Sequence, residues 1–321
     1  MSGANRAPAR AFRPGAHLAA VRAKLPGMDL AADLAFRQRV FDALALVVAE
    51  QGVVTRDQLS AFPVNGSTHR LIDQSRGIWN PRHLAATLSV VSSPDGPYAD
   101  SAIEGGRFRY DYRAGSVEGD NTKLRRAYEL GLPIILLRKI DNGVYVPVFP
   151  VYVIGDDTRA RQFTLAVDES LRFLTRPGQT SVAERHYAER IARFRLHQAE
   201  FRGRVLRAYA TRCAVCSLRH GRLLDAAHII GDRLEGGEPV VQNGLSLCKI
   251  HHAAFDGNLL GVSPDYSVGI NAELLAEVDG PMLRHGLQEM HGRVLVLPDR
   301  RREWPDRARL ATRWAEFGEV G

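Results

Sequence analysis

Apolar side chains recur every three or four positions from residue 36 to residue 48, as they do on the buried face of an amphipathic helix. Gly52 follows this segment and predicts its end, because glycine commonly terminates helices. The next residues, Thr55-Arg-Asp-Gln58, have the order of a capping box, which starts a helix. The pattern therefore predicts a long helix, a turn and a short helix near the N-terminus.

The hydrophobic period changes beyond residue 85. Phe108, Tyr110 and Tyr112 alternate with charged residues, which predicts a strand with an aromatic face and a charged face. Two further apolar runs, residues 133–140 and 144–154, flank an Asp-Asn-Gly sequence that is typical of a hairpin turn. These segments predict a curved β-sheet or small barrel with one or two helices.

Taken together, the patterns predict an α+β protein of several domains. Residues 29–84 would form a small helical unit of the winged-helix type, which either binds DNA or serves as a packing module. Residues 85–175 would form the curved sheet, and residues 181–321 a C-terminal unit introduced by an arginine-rich helix. Residues 1–28 hold five basic residues and no acidic one, which predicts a disordered basic arm.

Charge and composition narrow the class of partner. The chain of 321 residues has a net charge of +7 and is 45% hydrophobic, which is ordinary for a soluble globular protein. Residues 184–212 carry eight arginines against three glutamates, and residues 293–313 carry seven arginines against three acidic residues. Such concentrated positive charge favours a phosphate-binding surface, although each run is equally compatible with a solvated helix face. No apolar run is long enough to span a membrane, and we expect a cytoplasmic protein.

All three cysteines of the chain lie in one short stretch. Cys213-x-x-Cys216 and Cys248-x-x-His251 are spaced as two turns that grip one tetrahedral Zn²⁺. A redox Cys-x-x-Cys pair is the alternative, but it would not need Cys248 and His251. His252 also follows the second pair; the Cys-x-x-His spacing favours His251 as the fourth ligand and leaves the choice open. We expect a structural zinc.

The same stretch resembles the zinc-stapled HNH endonucleases of the ββα-metal type, over residues 211–261. The resemblance rests on a D-x-A-H-I-I strand, an N-G-L-x-L-C turn and a C-x-x-H-H-x-x-F-D helix start. It implies that His228 is the general base, that Asn243 orients this part of the fold, and that His252 binds a catalytic divalent ion such as Mg²⁺ or Mn²⁺.

One position departs from the family pattern. The residue before the base is usually a second metal ligand, and here it is Ala227. Alternate residues of a strand share a face, so Asp225 lies on the same face as Ala227, displaced by about 7 Å. We expect Asp225 to replace the missing ligand, with Asp256 as the next candidate.

A second and looser resemblance covers the middle of the chain. The run FRYDYRAGSVEGDNTKLRRAYELGLPIILLRKIDNGVYVPVFPVYV is similar to SRA-like domains of the PUA superfamily. That similarity implies a domain that flips a modified cytosine out of DNA. Tyr110 and Tyr112 would sandwich the base, and Asp111 or Asp120 would accept a hydrogen bond from its exocyclic amine. The alternative is that these aromatic rings fill the core of the barrel.

The two resemblances together are typical of modification-dependent restriction endonucleases. We therefore expect an HNH endonuclease that reads 5-methylcytosine or 5-hydroxymethylcytosine and hydrolyses the phosphodiester bonds of double-stranded DNA. Cutting of both strands by a single HNH site suggests either a homodimer or paired nicking. Two alternatives remain. The chain is a nuclease for unmodified DNA or one gated by another ligand, or it is a non-catalytic, zinc-containing DNA-binding regulator.

Overall fold

The computed structural model describes residues 29–93, 107–112, 118–172 and 181–318. Its helices are α1 (Leu30–Gln51), α2 (Arg56–Ser60), α3 (Asp120–Leu130), α4 (Val182–Ala208), α5 (Lys249–Asp256), α6 (Ala272–Ala276), α7 (Pro281–Gly286) and α8 (Arg307–Gly318). Its strands are β1 (Val54–Thr55), β2 (Phe62–Val64), β3 (Ser67–His69), β4 (Ile78–Trp79), β5 (Ser89–Ser92), β6 (Phe108–Asp111), β7 (Pro133–Asp141), β8 (Val144–Asp157), β9 (Gln162–Ala166), β10 (Leu224–His228), β11 (Gly244–Cys248), β12 (Leu260–Val262) and β13 (Val268–Ile270). The predicted arm, residues 1–28, lies outside the described residues.

A sheet in the order β4-β5-β7-β8-β9-β6 forms the centre of the N-terminal half. The predicted hairpin is present, because β7 and β8 pair antiparallel on either side of Asn142 and Gly143. Register shifts interrupt the pairing of β8 with both neighbours, and such bulges bend a strand. The sheet curls into a half-barrel, which confirms the predicted α+β class with a curved sheet.

Both faces of the sheet are covered, so the central strand β7 is apolar throughout its first half. Ile134 and Leu136 point into the core shared with α3, whereas Ile135 and Leu137 point into the core shared with α1. The predicted long helix, the capping box of Thr55 and a β2–β3 hairpin are all present. They do not form a separate winged-helix body, however, because β1 pairs with β8 and α1 packs directly on the sheet.

A buried ion pair fixes α1 against the sheet. Asp33 and Arg37 are both inaccessible to solvent, and Arg37 Nε lies 2.5 Å from Asp33 Oδ1. The same guanidinium donates to the carbonyl oxygens of Thr87 (2.8 Å) and Pro133 (2.7 Å). Each hydrogen bond from the guanidinium to a buried acceptor offsets part of the cost of desolvating the charge. The ion pair therefore holds α1 against the sheet.

Helix α4 belongs to two cores. Ala188, Ala192 and Leu196 pack into the core of the sheet, and residues from Phe201 onward pack into the core of the C-terminal half. The guanidinium of Arg202 adds a polar junction by donating to main-chain carbonyls at the end of α1 and at the start of β10. The boundary that we predict at residue 181 therefore falls before a helix that serves both halves.

The C-terminal half contains the predicted β-hairpin and helix. Strands β10 and β11 pair antiparallel from Leu224↔Cys248 to His228↔Gly244, and α5 starts directly after β11. Helix α8 packs so closely on the β12–β13 hairpin that a Cβ on Gly261 would lie 2.5 Å from Phe317 Cγ. Among the described residues, no helix combines the length and apolarity required to cross a bilayer.

Candidate active site and metal centre

Two tight turns bring the cysteines together. The first turn has positive φ angles at Ala210, Thr211 and Ser217, and it is closed by a 2.9 Å hydrogen bond from Ser217 N to Cys213 O. It is tied to β11 by a 2.7 Å hydrogen bond from Ala214 N to Ser246 O. The second turn is the junction of β11 with α5, which places His251 one helical turn beyond the N-cap residue Cys248.

Four side chains converge as a metal-binding cluster: Cys213, Cys216, Cys248 and His251. Their ligand atoms all lie within 4.8 Å of one another, and His251 Nδ1 is 3.1 Å from Cys248 Sγ. The other ring nitrogen, Nε2, lies 2.8 Å from the carbonyl oxygen of Gly286, a partner that orients ligating histidines. The cluster has the Cys₃His ligand set of a structural zinc site, and His251, rather than His252, completes it.

His228 stands at the end of β10, half-buried and packed against α4. Its imidazole stacks on the ring of Phe201, with centroids 4.0 Å apart and planes 18° apart. The Nε2 atom is buried and has no hydrogen-bond partner among the residues that the structure describes. Burial lowers the pKa of His228 below 6.5; Asp232 opposes this shift, His252 adds to it and Asp256 opposes it. The imidazole is therefore neutral near neutral pH, as a general base must be.

Asn243 is fully buried beneath the loop that follows His228. Its Oδ1 accepts a hydrogen bond from Ile230 N (2.9 Å), and its Nδ2 donates to Ile230 O (2.9 Å) and to Glu238 O (3.1 Å). The side chain thus satisfies the backbone of a loop that has no regular structure of its own. These contacts agree with the orienting role that the resemblance implies.

The structure brings Asp225 and His252 together, with Asp256 on the other side of the imidazole. His252 Nδ1 lies 3.5 Å from Asp225 Oδ2, and His252 Nε2 lies 3.4 Å from Asp256 Oδ2. Lys249 Nζ also contacts both oxygens of Asp225, at 2.7 and 2.6 Å. Partial burial raises the pKa of Asp225, but Lys249 and His252 outweigh it and the pKa is lowered, so the carboxylate is charged.

A groove leads along the surface of α4 to His228. We call it the α4 groove; its volume is about 240 Å³. It is lined by Arg190, Phe194, His197, Gln198, His228, Asp232, Arg233 and Pro239. The sequence indicates a basic helix here, but it does not reveal that one face of this helix lines a groove together with His228.

The four residues proposed for a base pocket occupy different environments. Tyr110 and Tyr112 are buried in the core of the sheet, where Tyr112 stacks on Phe163 with centroids 4.5 Å apart. Asp111 accepts a hydrogen bond from Gln162 Nε2 (2.7 Å), and Asp120 lies 3.2 Å from Arg76. The two rings thus hold the core position that the sequence left open as an alternative.

A different acid, Asp156, connects Tyr112 to an open cavity. It accepts a hydrogen bond from the Tyr112 hydroxyl and pairs with Arg125 Nε at 2.5 Å. It also lines a cavity of about 560 Å³, together with Arg107, Tyr128, Ile154, Gly155, Asp157, Thr158, Arg159 and Thr164. Sequence reasoning missed Asp156. The available signal is Gly155-Asp156-Asp157 at the end of an otherwise apolar strand, where glycine and aspartate are unfavourable.

Comparison with known proteins identifies the C-terminal stretch. Residues 213–263 match the protein family described as HNH endonuclease. No curated protein sequence matches the chain. The match covers the ββα unit and its four metal-binding side chains. It also includes His228 and His252, so over residues 213–263 the chain is similar to HNH endonucleases, which are nucleases.

Several solved structures are similar to longer parts of the chain. One is a modification-dependent TagI restriction endonuclease, with 17% identity and a TM-score of 0.27, covering 76% of this chain and 86% of that chain. Another is the SRA domain of SUVH5 in complex with hemi-methylated CG DNA, with 19% identity and a TM-score of 0.21, covering 34% and 79%. A third is the type IV phosphorothioation-dependent restriction endonuclease ScoMcrA, with 18% identity and a TM-score of 0.21, covering 57% and 48%. TM-scores this low do not establish a common fold.

Proposed function

We propose that this protein is an HNH endonuclease that cuts double-stranded DNA carrying a modified cytosine. The observation that carries the nuclease part of the proposal is the environment of His228. Its imidazole is held by Phe201, its pKa is lowered, and its buried Nε2 has no hydrogen-bond partner among the described residues. A ring nitrogen that makes no hydrogen bond to the described residues is available to accept a proton from water.

His228 and the residues around it have different roles in the proposed hydrolysis. His228 accepts a proton from the attacking water, whose oxygen forms the new bond to phosphorus while the bond to the leaving 3′ oxygen breaks. Asn243 keeps the loop after His228 in place through its three hydrogen bonds to the main chain. Helix α4 closes one side of the site and keeps the imidazole away from bulk water.

His252 and Asp225 are the residues that would hold a catalytic Mg²⁺, Mn²⁺ or similar ion. The donor set fits, because an imidazole nitrogen and carboxylate oxygens are ligands of such ions and Asp256 stands on the other side of the same ring. When bound, the cation supplies Lewis-acid neutralisation of the phosphate charge. The cysteines and His251 would hold Zn²⁺ as a structural element.

The sheet of the N-terminal half would read the modified base. The support for this role is the SRA-like run in the sequence and the open cavity beside Tyr112 and Asp156. Asp156 and Asp157 offer acceptors for the exocyclic amine of cytosine, and the volume of about 560 Å³ lies in the usual range of ligand pockets. In this proposal the Tyr112 hydroxyl positions Asp156 at the pocket by donating a hydrogen bond to it.

Plasmid cleavage tests both parts of the proposal. Matched plasmids that contain cytosine, 5-methylcytosine or 5-hydroxymethylcytosine are incubated with the protein and with Mg²⁺ or Mn²⁺. We expect cutting of a modified plasmid alone, reduced by at least about a hundredfold in His228→Ala, because general-base catalysis contributes about 10²–10⁴-fold. Equal cutting of all three plasmids would retain the nuclease and reject the reader.

A non-catalytic DNA-binding regulator is the second candidate, and Lys249 is the observation that favours it. Its ammonium contacts both oxygens of Asp225, the carboxylate that would otherwise bind the cation, and Ala227 offers no replacement. In that case no plasmid is cut with any divalent ion, and wild type and His228→Ala bind DNA equally well. Lys249→Ala, which frees Asp225, distinguishes a blocked site from an absent activity by restoring cation-dependent cutting.

A further inference from the structure

The exposed face of α4 carries aromatic and basic side chains in front of the active site. Tyr187, Arg190, Phe194 and His197 recur at intervals of three or four residues, which places them on one face of the helix. Tyr187 is 54% exposed and Phe194 is 57% exposed, although other faces of α4 pack into two cores. The guanidinium of Arg190 lies 5.8 Å from the centroid of the Tyr187 ring.

This face ends at the catalytic base. Phe201 lies seven residues beyond Phe194 on the same side of α4, is 2% exposed and stacks on His228. A ligand lying along the α4 groove would therefore pass over Phe194 and arrive at His228. The opposite wall is the loop after β10, which contributes Asp232 and Arg233.

The charges of the groove suit a phosphate chain. Arg190 and Arg233 line opposite walls, and Asp232 is the acidic residue that lines it. Guanidinium groups on two sides of a channel contact successive phosphates of one strand, while an aromatic ring between them packs on a sugar or a base.

From these positions we propose that the α4 groove holds the DNA strand next to the scissile phosphate. Arg190 and Arg233 contact its phosphates from the two walls, and Phe194 packs on the nucleotide between them. The inference rests on the proposed nuclease function and assigns it a substrate contact outside residues 213–263. A protein partner is less suitable for the same surface, because a partner that covered Phe194 would also cover the approach to His228.

DNA binding is measured first in the cleavage-deficient His228→Ala protein, by fluorescence anisotropy of a short labelled duplex at several salt concentrations. With the further change Phe194→Ala, we expect binding to weaken about tenfold, the scale of a single stacking interaction. With Arg190→Gln and Arg233→Gln together, the slope of log affinity against log salt should fall by about two, because each arginine neutralises one phosphate. Leu46→Ala and Arg39→Gln, both at exposed positions of α1, are the matched controls and should change neither quantity.

Cleavage by the same variants with His228 restored separates this inference from the proposed function. Wild-type cutting together with unchanged binding and cutting by the groove variants would overturn the groove and leave the nuclease intact. Absent cutting with the predicted loss of binding would support the groove and reject the nuclease. If the groove variants bind DNA as before but have a lower oligomeric state in sedimentation, the exposed face of α4 is a protein interface. If the protein does not bind DNA at all, both the groove inference and the proposed nuclease function are rejected.

Discussion

At His228, packing controls the protonation of a single side chain. Burial against Phe201 disfavours the charged imidazolium, and the carboxylates of Asp232 and Asp256 oppose this effect without overcoming it. The ring is therefore neutral at a pH at which an exposed histidine would be partly protonated. In the proposed mechanism, His228 would therefore still accept a proton in mildly acidic solution.

The pH dependence of cleavage tests this environment. The neutral imidazole is the active form, so the rate should fall as pH drops through the lowered pKa, and the acidic limb should lie below pH 6.5. Asp232→Asn removes a carboxylate that raises this pKa, so the limb should move to still lower pH. Single-turnover rates across the pH range provide the measurement.

The exposed Asp279 provides the control for that shift. Asp279→Asn removes the same charge from the chain, but Asp279 is not among the groups that shift the pKa of His228. The acidic limb of the pH–rate profile of this variant should therefore coincide with that of wild type. A limb at or above pH 6.5, or a shift to higher pH in Asp232→Asn, would contradict a pKa of His228 that burial lowers and Asp232 raises.

The residues that the sequence indicates most clearly are those whose partners are close in the chain. The spacing within two short pairs predicts the metal cluster, and the structure brings the pairs together: Cys213 with Cys216, and Cys248 with His251. Asp156 and Phe201 give no such signal, because each acts on a partner more than 25 residues away, Tyr112 and His228 respectively. Their importance depends on which elements pack together, and local pattern does not contain that information.

At the scale of elements, the metal cluster joins the two ends of the ββα unit, and we expect bound zinc to stabilise it. Its strands have five residues each and α5 has eight, which is little apolar surface for independent stability. Metal binding at such sites contributes about 10–16 kcal/mol in small zinc domains. The cluster joins the first turn to the β11–α5 junction and so closes the unit.

Two adjacent histidines allow a sharp test of this dependence. His251→Ala should lose the bound zinc and lower the thermal stability of the C-terminal half, whereas His252→Ala should keep the zinc and lose cation-dependent cleavage. Zinc content by elemental mass spectrometry and thermal unfolding followed by circular dichroism provide the measurements. Retention of zinc by His251→Ala, or its loss in His252→Ala, would reassign the fourth ligand.

The elements of the sheet were easier to predict than their arrangement. The hairpin at Asn142, the aromatic strand β6 and the capping box of Thr55 all follow from local residue order, and all are present. That α1 and β1 join the sheet does not follow, because β1 has only two residues and pairs with β8 far along the chain. A short edge strand leaves almost no hydrophobic period from which to predict it.

At the scale of the whole molecule, α4 contacts both the sheet and the C-terminal half. A Cβ on Gly203 would lie 2.9 Å from Val146 Cγ2 of the sheet, and a Cβ on Gly244 of β11 would lie 2.5 Å from Val205 Cγ2. Both approaches are too close for any larger residue. Glycine on the helix and glycine on the strand thus allow α4 to contact both halves within three residues, Gly203 to Val205.

A helix held at both ends keeps a constant length, and this has a consequence for where DNA would be cut. Ala188, in the core of the sheet, and Phe201, against His228, are thirteen residues apart, about 20 Å along the helix axis, or roughly six base pairs of DNA. On duplexes with one modified cytosine in varied flanking sequence, we expect breaks at one fixed offset, mapped by sequencing the cut ends. Breaks scattered over many positions would contradict a rigid junction. The length of α4 would then set the distance between the modified base and the cut.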